Sequence, residues 1–153
     1  MARPFRRTGR GVEGYLHDGE ADLLRELGGS MLLLLAEGDP ADPAVDRLFP
    51  AAYRDDDAAA AEFRDLVLGD LRETKRQSAR ALAELPRDTT AFTLDDEAAE
   101  QWLLAFNDLR LTLGARLGIT DDDEDRDDED PAYELYDFLT ALQASLIDAL
   151  SAP

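Results

Sequence analysis

The chain has 153 residues, 44% of them apolar, no cysteine, and a formal net charge of −19. That length fits one domain with a real core, and a domain of this size buries roughly 70% of its unfolded surface. The missing cysteines exclude disulfides, thiolate nucleophiles and thiolate-bound metals, and so acidic a body repels phosphate backbones, which disfavours direct nucleic-acid binding.

Residues 1–10 hold four arginines (Arg3, Arg6, Arg7 and Arg10) and no acid. No apolar run follows this basic start, so it does not read as a signal peptide. The arm has three readings: a frayed soluble terminus, a contact for an acidic surface, or an internal partner for the chain's own carboxylates. Residues 5–10 and 12–16 flank the turn-rich joint Thr8-Gly-Arg-Gly11, which predicts a small β-hairpin.

Asp18, followed by Gly19 and Glu20, reads as a helix N-cap. Leu23, Leu24, Leu27, Met31, Leu34 and Leu35 then recur at helical spacing. Gly28 and Gly29 weaken this helix in its middle, Gly38-Asp-Pro40 ends it, and Asp42-Pro43 extends the break. Its greasiest run, Met31 to Ala36, is far shorter than the ~20 residues of a membrane span, so a soluble, cytoplasmic protein is expected.

Pro50 can open a short helix after Val45–Phe49, and Asp55 to Asp57 can cap the next one. That helix is expected over 58–85, closed by Pro86. Phe63, Leu66, Val67, Leu71, Ser78, Leu82 and Leu85 trace its buried face, with Arg64, Arg72, Glu73, Lys75, Arg76 and Arg80 opposite. Thr93 to Asp96 resembles a capping box for a third long helix over 95–117. Trp102, Phe106, Leu109, Leu113 and Leu117 form its stripe, and Gly118 suits its end. Trp102 is read as a core anchor.

Residues 121–130 hold nine acids and one arginine, an acidic loop. Tested as a calcium-binding loop from Asp121, it puts Arg126 where glycine is needed and Ala132 where a glutamate belongs, so that motif is absent. Asp130-Pro131 then starts a last helix bearing Leu135, Phe138, Leu139, Leu142, Leu146 and Leu150. The predicted architecture over 1–153 is all-α: one bundle of about four main helices with a small N-terminal β-hairpin.

Catalytic chemistry finds little support in these residues. His17 is the sole histidine and has no Glu-x-x-His or nucleophile partner in sequence. No phosphate-cradling glycine loop occurs. Neither an enzyme nor a cofactor or metal site is expected. The conspicuous polar group is Asn107, Asp108, Arg110 and Arg116, set on an otherwise apolar helix. Arg110 wants a carboxylate, and Asp46 or one of Asp55 to Asp57 can supply it. Two readings stay open for Asp46, Arg47, Asp55, Asp56, Asn107, Arg110 and Arg116: a structural network pinning the loop 45–57 onto this helix, or a partner-contact site.

Several segments form an ordered pattern. They are Arg47-Leu-Phe-Pro-Ala-Ala-Tyr53 with Asp55-Asp56, Glu62-Phe-Arg64, Asp70-Leu-Arg72 with Lys75, Trp102, Asn107-Asp-Leu-Arg-Leu-x-Leu-Gly-x-Arg-Leu-Gly118, and Leu135-Tyr-Asp-Phe-Leu with Leu142-Gln143. The pattern resembles an actinobacterial AosR-like family, otherwise catalogued as a domain of unknown function. The resemblance implies a small cytoplasmic regulator of transcription working through protein contact, with an oxidation-sensing member that partners a stress sigma factor. That sensing uses a cysteine pair, which this chain lacks. A self-associating helical domain, a homodimer through the leucine-rich first helix, is the alternative.

Overall fold

The computed structural model describes residues 4–38, 41–49, 58–86, 90–118 and 131–152; the side chains at 18, 58–65 and 67 lie outside that description. Strands β1 (Phe5–Thr8) and β2 (Gly11–Tyr15) form the expected hairpin, with Phe5 opposite Gly14 and Thr8 opposite Gly11. The arginine-rich start is therefore a strand, and the frayed-terminus reading falls for residues 5–8.

Helix α1 (Asp18–Glu37) runs through Gly28 and Gly29 without a break. Its N-cap is His17 and not Asp18, because the Glu20 carboxylate accepts from the His17 backbone N–H at 3.0 Å. Gly28 survives there by packing: a Cβ would stand 2.6 Å from the Ala83 nitrogen and 2.8 Å from the Ala79 carbonyl. The short helix α2 (Pro43–Leu48) opens on Pro43. Asp42 caps it by accepting from the Ala44 N–H at 2.9 Å, and Pro43 at the first helical position costs no hydrogen bond, so this dipeptide starts a helix where a break was read. Pro50 lies outside the described residues.

Helix α3 (Ala58–Ala83) packs along α1, and strand β3 (Ala91–Leu94) follows. Thr93 is paired with Glu13 in the sheet, and the cap of the next helix is Asp95, which accepts from the Ala98 N–H at 2.7 Å. The hairpin is thus two strands of an antiparallel three-stranded sheet in the order β1-β2-β3. Helix α4 (Asp96–Leu117) ends on Gly118, whose φ of 69° is the left-handed cap that glycine favours. Helix α5 (Pro131–Ser151) opens on Pro131. The fold is mostly all-α, five helices among the described residues plus this sheet.

The core lies where α4 crosses the sheet and the other helices. Trp102 is its anchor: its ring sits 4.9 Å from that of Phe92, 6.1 Å from Phe5 and 6.0 Å from Phe106. Leu24, Leu82, Leu139, Leu142 and Leu146 extend the cluster along the helices. Leu66, expected on the buried face of α3, is instead exposed. No helix among the described residues is long and apolar enough to cross a membrane.

Candidate functional site

The polar residues of α4 divide between two neighbours. Toward α3, Lys75 Nζ donates to Asp108 Oδ1 at 2.7 Å, and the two side chains are only 7% and 1% exposed. Lys75 belongs to the row Leu71, Lys75, Ser78, Leu82 and Leu85, the i, i+3, i+4 spacing of one helix face. Its charge suggested the solvent side, but its spacing carries it inward. The second carboxylate oxygen, Asp108 Oδ2, is buried with no hydrogen-bond partner among the described residues. Burial pushes the Asp108 carboxyl above its usual value, against the hydrogen bond and charge of Lys75. The nearby buried hydroxyls turn back on their own helices, Ser78 donating to the Lys75 carbonyl at 2.9 Å and Thr112 to that of Leu109 at 3.0 Å.

Toward α5, Arg110 spends its donors on neutral groups. Its Nε donates to Thr140 Oγ1 at 3.0 Å, one Nη to the Tyr136 hydroxyl at 3.3 Å, and the other to Gln143 Oε1. The guanidinium also lies over the Tyr136 ring, 5.2 Å from its centre. Among the described residues, the side-chain partners of Arg110 are these neutral groups of α5. Asp46 is half-buried and Arg47 exposed, both on α2, which does pack on α4. Asp55 and Asp56 lie outside the described residues. Asn107 is half-buried, and Arg116 stands exposed beside a small cavity of about 90 Å³ lined by Leu27, Met31, Leu109 and Thr112. Among the described residues, Arg110 faces α5, whereas Asp46 and Arg47 lie on α2.

The basic start is used internally. Arg7 donates to the carbonyls of Ala149 at 3.2 Å and Leu150 at 3.5 Å, closing the C-terminal end of α5, and pairs with Asp96 at 2.7 Å. Arg6 pairs with Glu13 at 3.4 Å on the surface, and the Arg10 backbone N–H donates to Thr8. Arg3 lies outside the described residues. His17 is exposed at the start of α1, its ring edge-on to Tyr15 at 5.6 Å.

What remains open is a surface. The outer face of the sheet carries Arg6, Glu13, Tyr15, Ala91 and Thr93. With the end of α5 it walls a broad groove of about 910 Å³. The acidic tract 120–130 lies outside the described residues. Nothing in the sequence reading pointed to this groove, because it depends on β3, whose four residues Ala-Phe-Thr-Leu carry too short an alternation to announce a strand.

A family model for a domain of unknown function, DUF2017, matches residues 2–150. The putative oxidative stress regulator AosR of Mycobacterium leprae is 32% identical over 134 residues, 74% of this chain and 60% of that protein. The oxidative stress regulator AosR of Mycobacterium bovis is 30% identical over 167 residues, 84% of this chain and 77% of its own length, and that of Mycobacterium tuberculosis matches equally. The chain spans only 60% of the Mycobacterium leprae relative. No solved structure matches. The chain belongs to the DUF2017 family.

Proposed function

We propose that this member of the DUF2017 family is a non-enzymatic regulator that acts in the cytoplasm by binding another protein. The observation that carries the reading is the similarity, at 30–32% identity, to proteins named oxidative stress regulators. The side-chain chemistry agrees with it. The buried polar groups, Lys75 with Asp108 and Arg110 with α5, tie helices together, which leaves the outer surfaces for contact. The family resemblance implies a transcription-associated partner, with a stress sigma factor as the class to try first. A net charge of −19 favours a basic patch on that partner and speeds encounter. Without cysteine, the chain senses no oxidant through a disulfide of its own.

Affinity capture of the tagged full chain from native extract, followed by reconstitution with the captured protein, tests this. A stoichiometric partner released by about 0.5 M salt is expected, since exposed charges are screened at that strength. Capture of no specific protein sinks the reading. Self-association through α1 is the second reading, favoured by Leu33, which is 59% exposed on that helix. Sedimentation at several concentrations separates the two, a stable dimer supporting the second.

A further inference from the structure

Among the described residues, the sheet is sealed along one edge and open along the other. At β1 the edge is covered by α5: the Phe5 N–H donates to Ser145 Oγ at 3.1 Å, and the Ser145 hydroxyl approaches the Phe5 carbonyl at 3.4 Å. At β3 the register decides which groups are left over. Tyr15 donates from its backbone to Pro4, on the β1 side, and Leu16 to Thr90, on the β3 side. Bonding alternates along an antiparallel strand, so Thr90, Phe92 and Leu94 face β2, while Ala91 and Thr93 present N–H and C=O outward. Both residues are exposed, and among the described residues nothing bonds to these outward groups.

Natural edges are blunted by being very short or by a lysine, a proline or a bulge. Ala91-Phe-Thr-Leu94 is short, at four residues, but has no lysine, proline or bulge, and its outer face opens on the 910 Å³ groove. Charge chooses between occupants. Glu13, paired with Arg6, stands across from Thr93 in the sheet, and Asp95, Asp96 (paired with Arg7) and Glu97 follow β3 directly, all three exposed. Two copies, each at −19, repel, whereas a strand bearing Lys or Arg is attracted. Resting on the reading that this chain works by protein contact, we infer that β3 is a docking edge. It takes an extended, basic segment of a protein partner as a fourth strand. Main-chain hydrogen bonds supply the attachment and the acidic surroundings supply the preference.

The probe is a short peptide of alternating Lys and Val, added to the full chain, with a Glu–Val peptide as its opposite. Amide exchange followed by NMR reads the edge. Exchange at Ala91 and Thr93 is expected to slow about tenfold or more with the Lys peptide and to stay unchanged with the Glu peptide. Thr93→Pro removes an outward donor that the β2–β3 ladder does not use. It should weaken the Lys peptide about tenfold with little change in thermal midpoint. Ala91→Pro is the independent second variant with the same expectation. Wild-type affinity for the Lys peptide in both proline variants, or unchanged exchange at both amides, overturns the inference. So does protection that rises with protein concentration alone, because a second copy is then the occupant. A captured native partner that binds Thr93→Pro normally refutes the edge and leaves the regulator standing. Failure to capture any partner refutes the regulator, while the peptide result still decides the edge.

Discussion

Removing the Asp108 carboxylate strands the Lys75 ammonium in a nearly dry contact between α3 and α4. Asp108→Ala is therefore expected to cost about 3–5 kcal/mol in urea unfolding. Replacing both partners, Lys75→Met with Asp108→Leu, should cost far less or even stabilise, because an apolar pair has no desolvation to offset. The same pair has a pH signature. Burial raises the Asp108 carboxyl above 3.8, so the native state holds that proton more tightly than the unfolded chain does. Its favourable contribution is complete below the ordinary value and is lost as pH climbs through the raised one. The stability of the wild type relative to the double variant should fall as pH rises from 3.8, and parallel unfolding curves would show it. Asp108 was visible in the sequence as a polar residue on an apolar helix. Its partner was not, because a lysine ordinarily faces solvent although the spacing of Lys75 places it on the buried face of α3. For Arg110 the need for acceptors was legible, but the neutral acceptors on α5 that meet it were not, because nothing local marks Thr140, Tyr136 and Gln143 as its partners.

Among the elements, neighbouring glycines on α1 give opposed outcomes. Gly29 has open space where a Cβ would go, so Gly29→Ala should gain about 0.5–1 kcal/mol from helix propensity alone. At Gly28 the same change drives a methyl into the α3 backbone and should lose about 1–3 kcal/mol, measured by thermal or urea unfolding. A single glycine pair thus marks a helix crossing that sequence reads as a weak point. Arg7 is the element-scale counterpart at the other end of the fold. Arg7→Ala takes the donors from the last carbonyls of α5 and is expected to cost about 1–2 kcal/mol, with exchange at the final turn of α5 speeding first. The long helices were legible because their apolar periods are long. The third strand was not, because Thr93 three residues before Asp96 mimics a cap.

For the whole molecule, a charge of −19 acts as a uniform load on the native state. Compaction brings like charges together, so the thermal midpoint should rise as salt is raised from about 10 mM to 0.5 M, where screening shortens to a few ångströms. A fall would show that surface ion pairs outweigh the repulsion. The overall bundle followed directly from four amphipathic stripes that each needed cover. The sheet's place against α4 and α5 did not, since it depends on pairings between distant segments. Deleting residues 1–10 cannot serve as a clean test of charge, because it also removes buried Phe5 from the aromatic core.

The hydrogen bonds between Phe5 and Ser145 join residues 140 positions apart, and Arg7 reaches 142 and 143 positions ahead. They tie the first strand to the last helix. During synthesis the hairpin emerges long before the helix that covers it. Its Phe5 must wait on an unfinished surface, open to chaperones and proteases, until α5 leaves the ribosome. Joining elements so far apart in the chain raises the contact order of this fold, which slows its refolding.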